Sequence, residues 1–160
     1  MKLMTASALA FGLLATPAFA AGMHAGGHHD GMEVGKPGDA SDVSRTVKIT
    51  MSEKDDGRML FEPASLQVKN GETIRFSIEN DGDLEHEFVL DTPQNIQKHK
   101  EMMAMSPDMK HQDANAIRLM DATGGEIIWT FSNTGTFEFA CLIPGHYESG
   151  MKGDITVEAQ

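Results

Sequence analysis

The chain has one cysteine in 160 residues, Cys141, within "FEFACLIPGHYESGMKG" (137–153). His146 follows five positions later and Met151 five after that. A thiolate, an imidazole and a thioether are soft or borderline donors, and together they select copper over Mg, Ca or Mn. Zinc competes for Cys and His, but structural zinc sites take four such ligands, and a thioether serves Zn²⁺ poorly. A second imidazole would complete a His2Cys set with a weak axial Met, the arrangement of one-electron copper sites. His86, in "LEHEFVL", is the candidate for it. Two other readings of Cys141 stay open. One is a core thiol with His and Met nearby by chance. The other is a nucleophile with His146 as its base, although no orienting partner or oxyanion device is visible.

Strands must carry these residues. "TVKITMSE" (46–53) alternates Val47, Ile49 and Met51 on one face, the period of a half-buried strand. "MLFEPASLQVK" (59–69) is extended, with Pro63 at a bend or an edge. An Asn-Gly turn then leads into Ile74, Phe76 and Ile78, which point inward. "HEFVLD" (86–91) starts at the candidate His86; Ile127–Phe131 and Phe137–Cys141 flank a turn, and "GDITVEA" (153–159) ends the series. Residues 92–124 differ: they lack strand periodicity, are rich in helix formers and are interrupted by Pro107. About seven short strands with one irregular insert predict an all-β chain, a β-sandwich or barrel. Cys141 then lies at a strand end, Pro144 and Gly145 turn the chain to present His146, and the loop returns Met151 before the last strand.

Residues 1–20 read as a signal peptide. Lys2 precedes an apolar run to about Ala15, and Ala18-Phe19-Ala20 fits cleavage after Ala20. The run is short for a bilayer span, though a retained anchor is the other reading. Cleavage leaves 12 basic against 24 acidic side chains, a formal charge of −12. That argues against nucleic acid and anionic membrane surfaces as partners. The expected location is the periplasm, with no membrane span after cleavage. An unpaired thiol is a liability in such an oxidising compartment, so Cys141 is expected to be buried or metal-bound. Residues 21–45 are Gly-, Asp- and Ser-rich and read as a disordered tail, leaving one domain over 46–160 with its insert at 92–124.

From about residue 46 to 159 the chain resembles a cupredoxin of the plastocyanin/azurin group. The resemblance rests on "LQVKNGETIRFSIEN", on His86 in "EHEF", and on "GTFEFACLIPGHYESGMKGDITV". It implies a Greek-key β-sandwich with one mononuclear type 1 copper. By matching position, His86, Cys141 and His146 would be equatorial ligands and Met151 axial. Two positions depart from the pattern. Glu87 stands where many members have Asn, the side chain that ties the two ligand loops together, and Leu142 follows the Cys in place of the frequent Ser or Thr.

Methionine carries a second theme. Six of the ten Met residues after residue 20, and five of the seven His, fall within 23–32 of the tail and 99–111 of the insert. The tail holds Met23, His24, His28, His29 and Met32; the insert holds His99, Met102, Met103, Met105, Met109 and His111. On a helix His99, Met102 and Met103 share a face. Thioethers bind Cu(I) and imidazoles suit Cu(II), so accessory copper handling is one reading. Core packing of the insert and a plain solvated tail are the alternatives. Such accessories resemble those of cupredoxins in bacterial copper-tolerance systems. The functional expectation is therefore copper tolerance through binding and Cu(I)/Cu(II) cycling. Its rival is a soluble electron shuttle with periplasmic redox partners. In that reading the His146 edge is the electron port, ringed by Leu142, Ile143 and Pro144. An enzyme is not expected: one copper passes one electron, and reducing O₂ to water takes four.

Overall fold

The computed structural model describes residues 32–106 and 113–160. The predicted signal segment and Met23, His24, His28, His29, Met109 and His111 lie outside those residues. In chain order the strands are β1 (Lys36–Pro37), β2 (Arg45–Glu53), β3 (Met59–Glu62), β4 (Ser65–Lys69), β5 (Thr73–Asn80) and β6 (His86–Asp91), then β7 (Ala116–Leu119), β8 (Gly124–Thr130), β9 (Gly135–Ala140) and β10 (Lys152–Glu158). One helix, α1 (Pro93–Met105), lies between β6 and β7.

The strands make two five-stranded sheets, β1-β8-β5-β2-β3 and β4-β10-β9-β6-β7. The period-2 pattern explains why they face each other. Val47, Ile49 and Met51 from β2, and Ile74, Phe76 and Ile78 from β5, are buried between the sheets, as expected. They meet Phe61, Phe88 and Phe139, whose rings pack at centroid distances of 5.2 Å (Phe61–Phe139 and Phe88–Phe139). This is the all-β sandwich the pattern predicted. The start of β6, the end of β9 and the start of β10 meet at one pole, because Val89 and Lys152 both pair with Ala140.

Three elements differ from the sequence reading. The stretch 59–69 is two strands in different sheets: β3 pairs with β2 and β4 with β10. The change of sheet falls at Pro63, which cannot donate to a ladder. Within the insert, β7 adds an edge strand beside β6. "AIRL" is too short to show a period. Residues 32–44, grouped with the tail by composition, run along the sandwich. Val34 is fully buried, its carbonyl accepts the Trp129 indole N–H at 3.2 Å, and β1 pairs with β8. One apolar side chain and backbone pairing anchor them, and neither has a compositional signature.

Helix α1 covers the outer face of the second sheet. Thr92 caps it, accepting the Asn95 N–H at 3.2 Å, and Pro93 occupies the first turn. Ile96 and Met103 are buried against Val89, Ala140 and Leu142, each worth about 2 kcal/mol by area. Glu138 on β9 is 8% exposed, and its Oε1 has no hydrogen-bond partner among the described residues. Burial pushes its carboxyl above the ordinary range, opposed by the Tyr147 hydroxyl and Lys152. The unfolded chain ionises this carboxyl first, so stability present at low pH is lost as pH rises through the folded value. Glu138→Gln is expected to stabilise the protein by about 1 kcal/mol at neutral pH, a gain that vanishes near about pH 4. Urea titrations at the two pH values check this; a pH-independent difference would refute it.

Candidate metal centre

Strand ends bring three donors together. His86 opens β6, Cys141 follows β9, and His146 lies on the loop that leads to β10. Their donor atoms lie within 4.8 Å of one another, and all three residues are buried. His86 Nδ1 is 3.1 Å from His146 Nδ1, and Cys141 Sγ is 3.4 Å from that same nitrogen. Converging lone pairs repel unless a proton or a cation lies among them. The set of two imidazoles and one thiolate suits copper. Burial depresses the His146 imidazolium, with His86 adding to the effect, so His146 tends to the neutral form a metal needs. Burial pushes the Cys141 thiol up to about 12. Without a metal it is therefore an inert buried thiol.

The fourth expected ligand, Met151, is fully buried and belongs to the same core as Cys141. Its backbone ties the loop shut: Cys141 N–H donates to the Met151 carbonyl at 3.1 Å, and Met151 N–H donates to His146 O at 3.1 Å. Between them the chain turns at Gly145, where φ is +91°, a conformation open to glycine at little cost. His146 N–H then donates to Ile143 O at 3.0 Å. A closed turn inside the loop thus aims His146 back at Cys141.

Glu87 replaces Asn but still ties the loops. It is 4% exposed, its Oε1 accepts the Leu142 N–H at 3.1 Å, and its own N–H points at Cys141 Sγ at 3.4 Å. The longer side chain reaches the backbone directly after the cysteine. Glu87→Ala leaves the buried Leu142 N–H without its acceptor, a cost of about 2 kcal/mol. Glu87→Gln keeps an acceptor and is expected to cost less than half as much. Equal losses in thermal unfolding of the two variants would argue against the tie.

Two residues here carried no signal in the sequence. Glu53, at the end of β2 in the opposite sheet, places Oε1 2.7 Å from His86 Nε2. Its carboxylate accepts the backbone N–H groups of Leu84 at 3.1 Å and Asp83 at 3.0 Å. Burial works against its charge, but these bonds outweigh it and hold the carboxyl below its ordinary value. Asn80 is 1% exposed and fastens the loop before His86. Its amide donates to the carbonyls of Leu84, Leu119 and Met120, and its Oδ1 accepts the Gly82 N–H. The Glu53–His86 contact and the Asn80 bonds to Leu119 and Met120 join residues far apart in the chain, so no spacing rule would find them.

Other expected site residues lie elsewhere. Met103 is buried under α1, whereas Met102 and Met105 are exposed, so the predicted helical face of His99, Met102 and Met103 is split. The geometry turns Met103 toward the core: it lies two turns from Ile96 and shares its buried stripe. Met32 is exposed beside β1. Leu142, expected to ring the His146 edge, is 1% exposed beneath α1. Successive residues alternate sides, so Leu142 points away from the side Cys141 occupies. The neighbours of His146 toward solvent are Pro144, Gly145 and the half-buried Ile143.

Residues 47–158 match the family described as copper binding proteins, plastocyanin/azurin family. The chain is 48% identical over 136 residues to the copper-resistant cuproprotein CopI of Rubrivivax gelatinosus, covering 84% of this chain and 80% of that protein. It is 33% identical over 186 residues to the copper-resistant cuproprotein CopI of Pseudomonas aeruginosa, covering 98% and 97%. Among solved structures, reduced auracyanin from Roseiflexus castenholzii superposes with a TM-score of 0.60 over 72% of this chain and 98% of that one, at 24% identity. That likeness concerns the fold.

Proposed function

Since the chain belongs to the plastocyanin/azurin family of copper-binding proteins, we propose that it serves copper tolerance in the periplasm, binding one copper through His86, Cys141 and His146 with Met151 as the weak fourth ligand. The observation that carries this is the convergence of the three buried donors within 4.8 Å. The copper-resistance relatives support the physiological part. Bound copper would supply one-electron Cu(I)/Cu(II) exchange. The protein's residues do the rest. Glu87 ties the two ligand loops, the Gly145 turn aims His146, and the sandwich keeps the thiol from water and oxidants.

A strain lacking the gene is expected to grow poorly at copper concentrations the parent tolerates. The wild-type gene should restore growth and a Cys141→Ser copy should not. Unchanged tolerance in the deletion strain would overturn the reading. The surroundings of His146 favour a second reading, a single-electron shuttle. His146 is 9% exposed, with Pro144 and Gly145 exposed beside it, a small surface that suits brief docking. Fast reduction of the copper protein by a redox partner, together with unaltered copper tolerance in the deletion strain, would favour it.

A further inference from the structure

We infer that Glu53 is a positioning residue of the metal centre: its carboxylate holds His86 as the Nε2–H tautomer, directs Nδ1 at Cys141 and His146, and sets a negative charge one imidazole away from the metal, favouring its oxidised state. This rests on the copper reading proposed above.

His86 is fully buried, and its two ring nitrogens face different partners. Nε2 is 2.7 Å from Glu53 Oε1, and Nδ1 is 3.1 Å from His146 Nδ1. An ionised carboxylate only accepts, so the proton belongs on Nε2 and the lone pair on Nδ1. Glu53 is itself held in place. Oε1 also accepts the Leu84 N–H and Oε2 accepts the Asp83 N–H. The backbone makes room for it as well: a Cβ at Gly82 would collide with Glu53 Oε2. A side chain of β2 in one sheet is thereby locked onto the first residue of β6 in the other. A carboxylate behind a ligating imidazole raises its basicity, and losing one typically weakens metal binding 10- to 100-fold. Negative charge near the metal stabilises Cu(II) more than Cu(I).

The test uses the full chain, metal-free and copper-loaded. In the metal-free protein, ¹⁵N shifts of the imidazole nitrogens should report His86 as the Nε2–H tautomer. Glu53→Ala should give a mixture of tautomers. Glu53→Gln keeps an acceptor for Nε2–H but removes the charge. It should keep the tautomer while shifting the Cu(I)/Cu(II) preference about tenfold toward Cu(I), a rise in potential of about 59 mV. Gly82→Ala, which displaces the carboxylate without altering Glu53, should move the potential in the same direction, and this variant decides if Glu53→Ala does not fold. An unchanged potential in Glu53→Gln and Gly82→Ala overturns the charge effect, and an unchanged tautomer in a folded Glu53→Ala overturns the positioning. A wild type that takes up no copper refutes the copper reading instead, and the metal-free ring shifts still decide the role of Glu53.

Discussion

Replacing Cys141 by serine is expected to abolish the visible absorption of the copper-loaded protein. In a His2Cys centre the colour comes from charge transfer between the thiolate and Cu(II), and this chain has one sulfur of that kind. A serine hydroxyl is a hard donor that stays protonated near neutral pH, so the band has no source. Cu(I), which prefers soft sulfur, should lose affinity by about two orders of magnitude or more. Cu(II) keeps the two imidazoles and is weakened less. The metal-free protein should survive the change, because the thiol is inert there and the hydroxyl is only slightly smaller. Burying it costs about 1–2 kcal/mol. A copper titration followed by absorption spectroscopy checks the result. A persistent strong band in the variant, or a colourless wild type, would refute the assignment. Since burial pushes the wild-type thiol up to about 12, copper has to displace its proton, and uptake should weaken as pH falls.

The largest loss of stability is expected from Asn80→Ala. The residue is 1% exposed and makes four hydrogen bonds with the loop before His86 and the end of β7. Alanine leaves the Leu84 and Leu119 carbonyls and the Gly82 N–H without these partners, while the Met120 carbonyl keeps the Thr123 N–H and hydroxyl. At about 1 kcal/mol or more for each unmet buried group, the cost is about 3 kcal/mol. It falls on the segment that delivers His86, so copper should also leave faster. Denaturant unfolding of the metal-free protein measures the first effect, and copper transfer to a chelator the second. A stability change under about 0.5 kcal/mol would show that the loop is held by other means.

Asn80 also shows where sequence reading loses its grip. The strand around it was legible because Ile74, Phe76 and Ile78 alternate, and all three are buried. Asn80 continues that inward phase as a polar residue, which reads locally as the start of a turn. Its role appears only when β7 lies alongside, and β7 is four residues without a period. Met102 and Met103 make the same point. Their sequence neighbourhoods are nearly identical, yet Ile96 and the packing face of α1 bury one and expose the other. Leu142 is next to Cys141 in sequence and close to His146, yet the pleat sends it under the helix.

The amino-acid sequence by itself determined the class of fold and the chemistry of the centre. Both are local properties: side-chain period selects strands, and donor softness with the spacing of Cys141, His146 and Met151 selects copper. Only the tertiary structure decided how that centre is held. Glu53 reaches His86 across 33 residues and Glu87 reaches the Leu142 N–H across 55. A hydrogen bond has a reach of about 3 Å, so such partnerships exist only once both sheets are stacked and registered. The donors are written in the chain, and their orientation is a property of the packed sandwich.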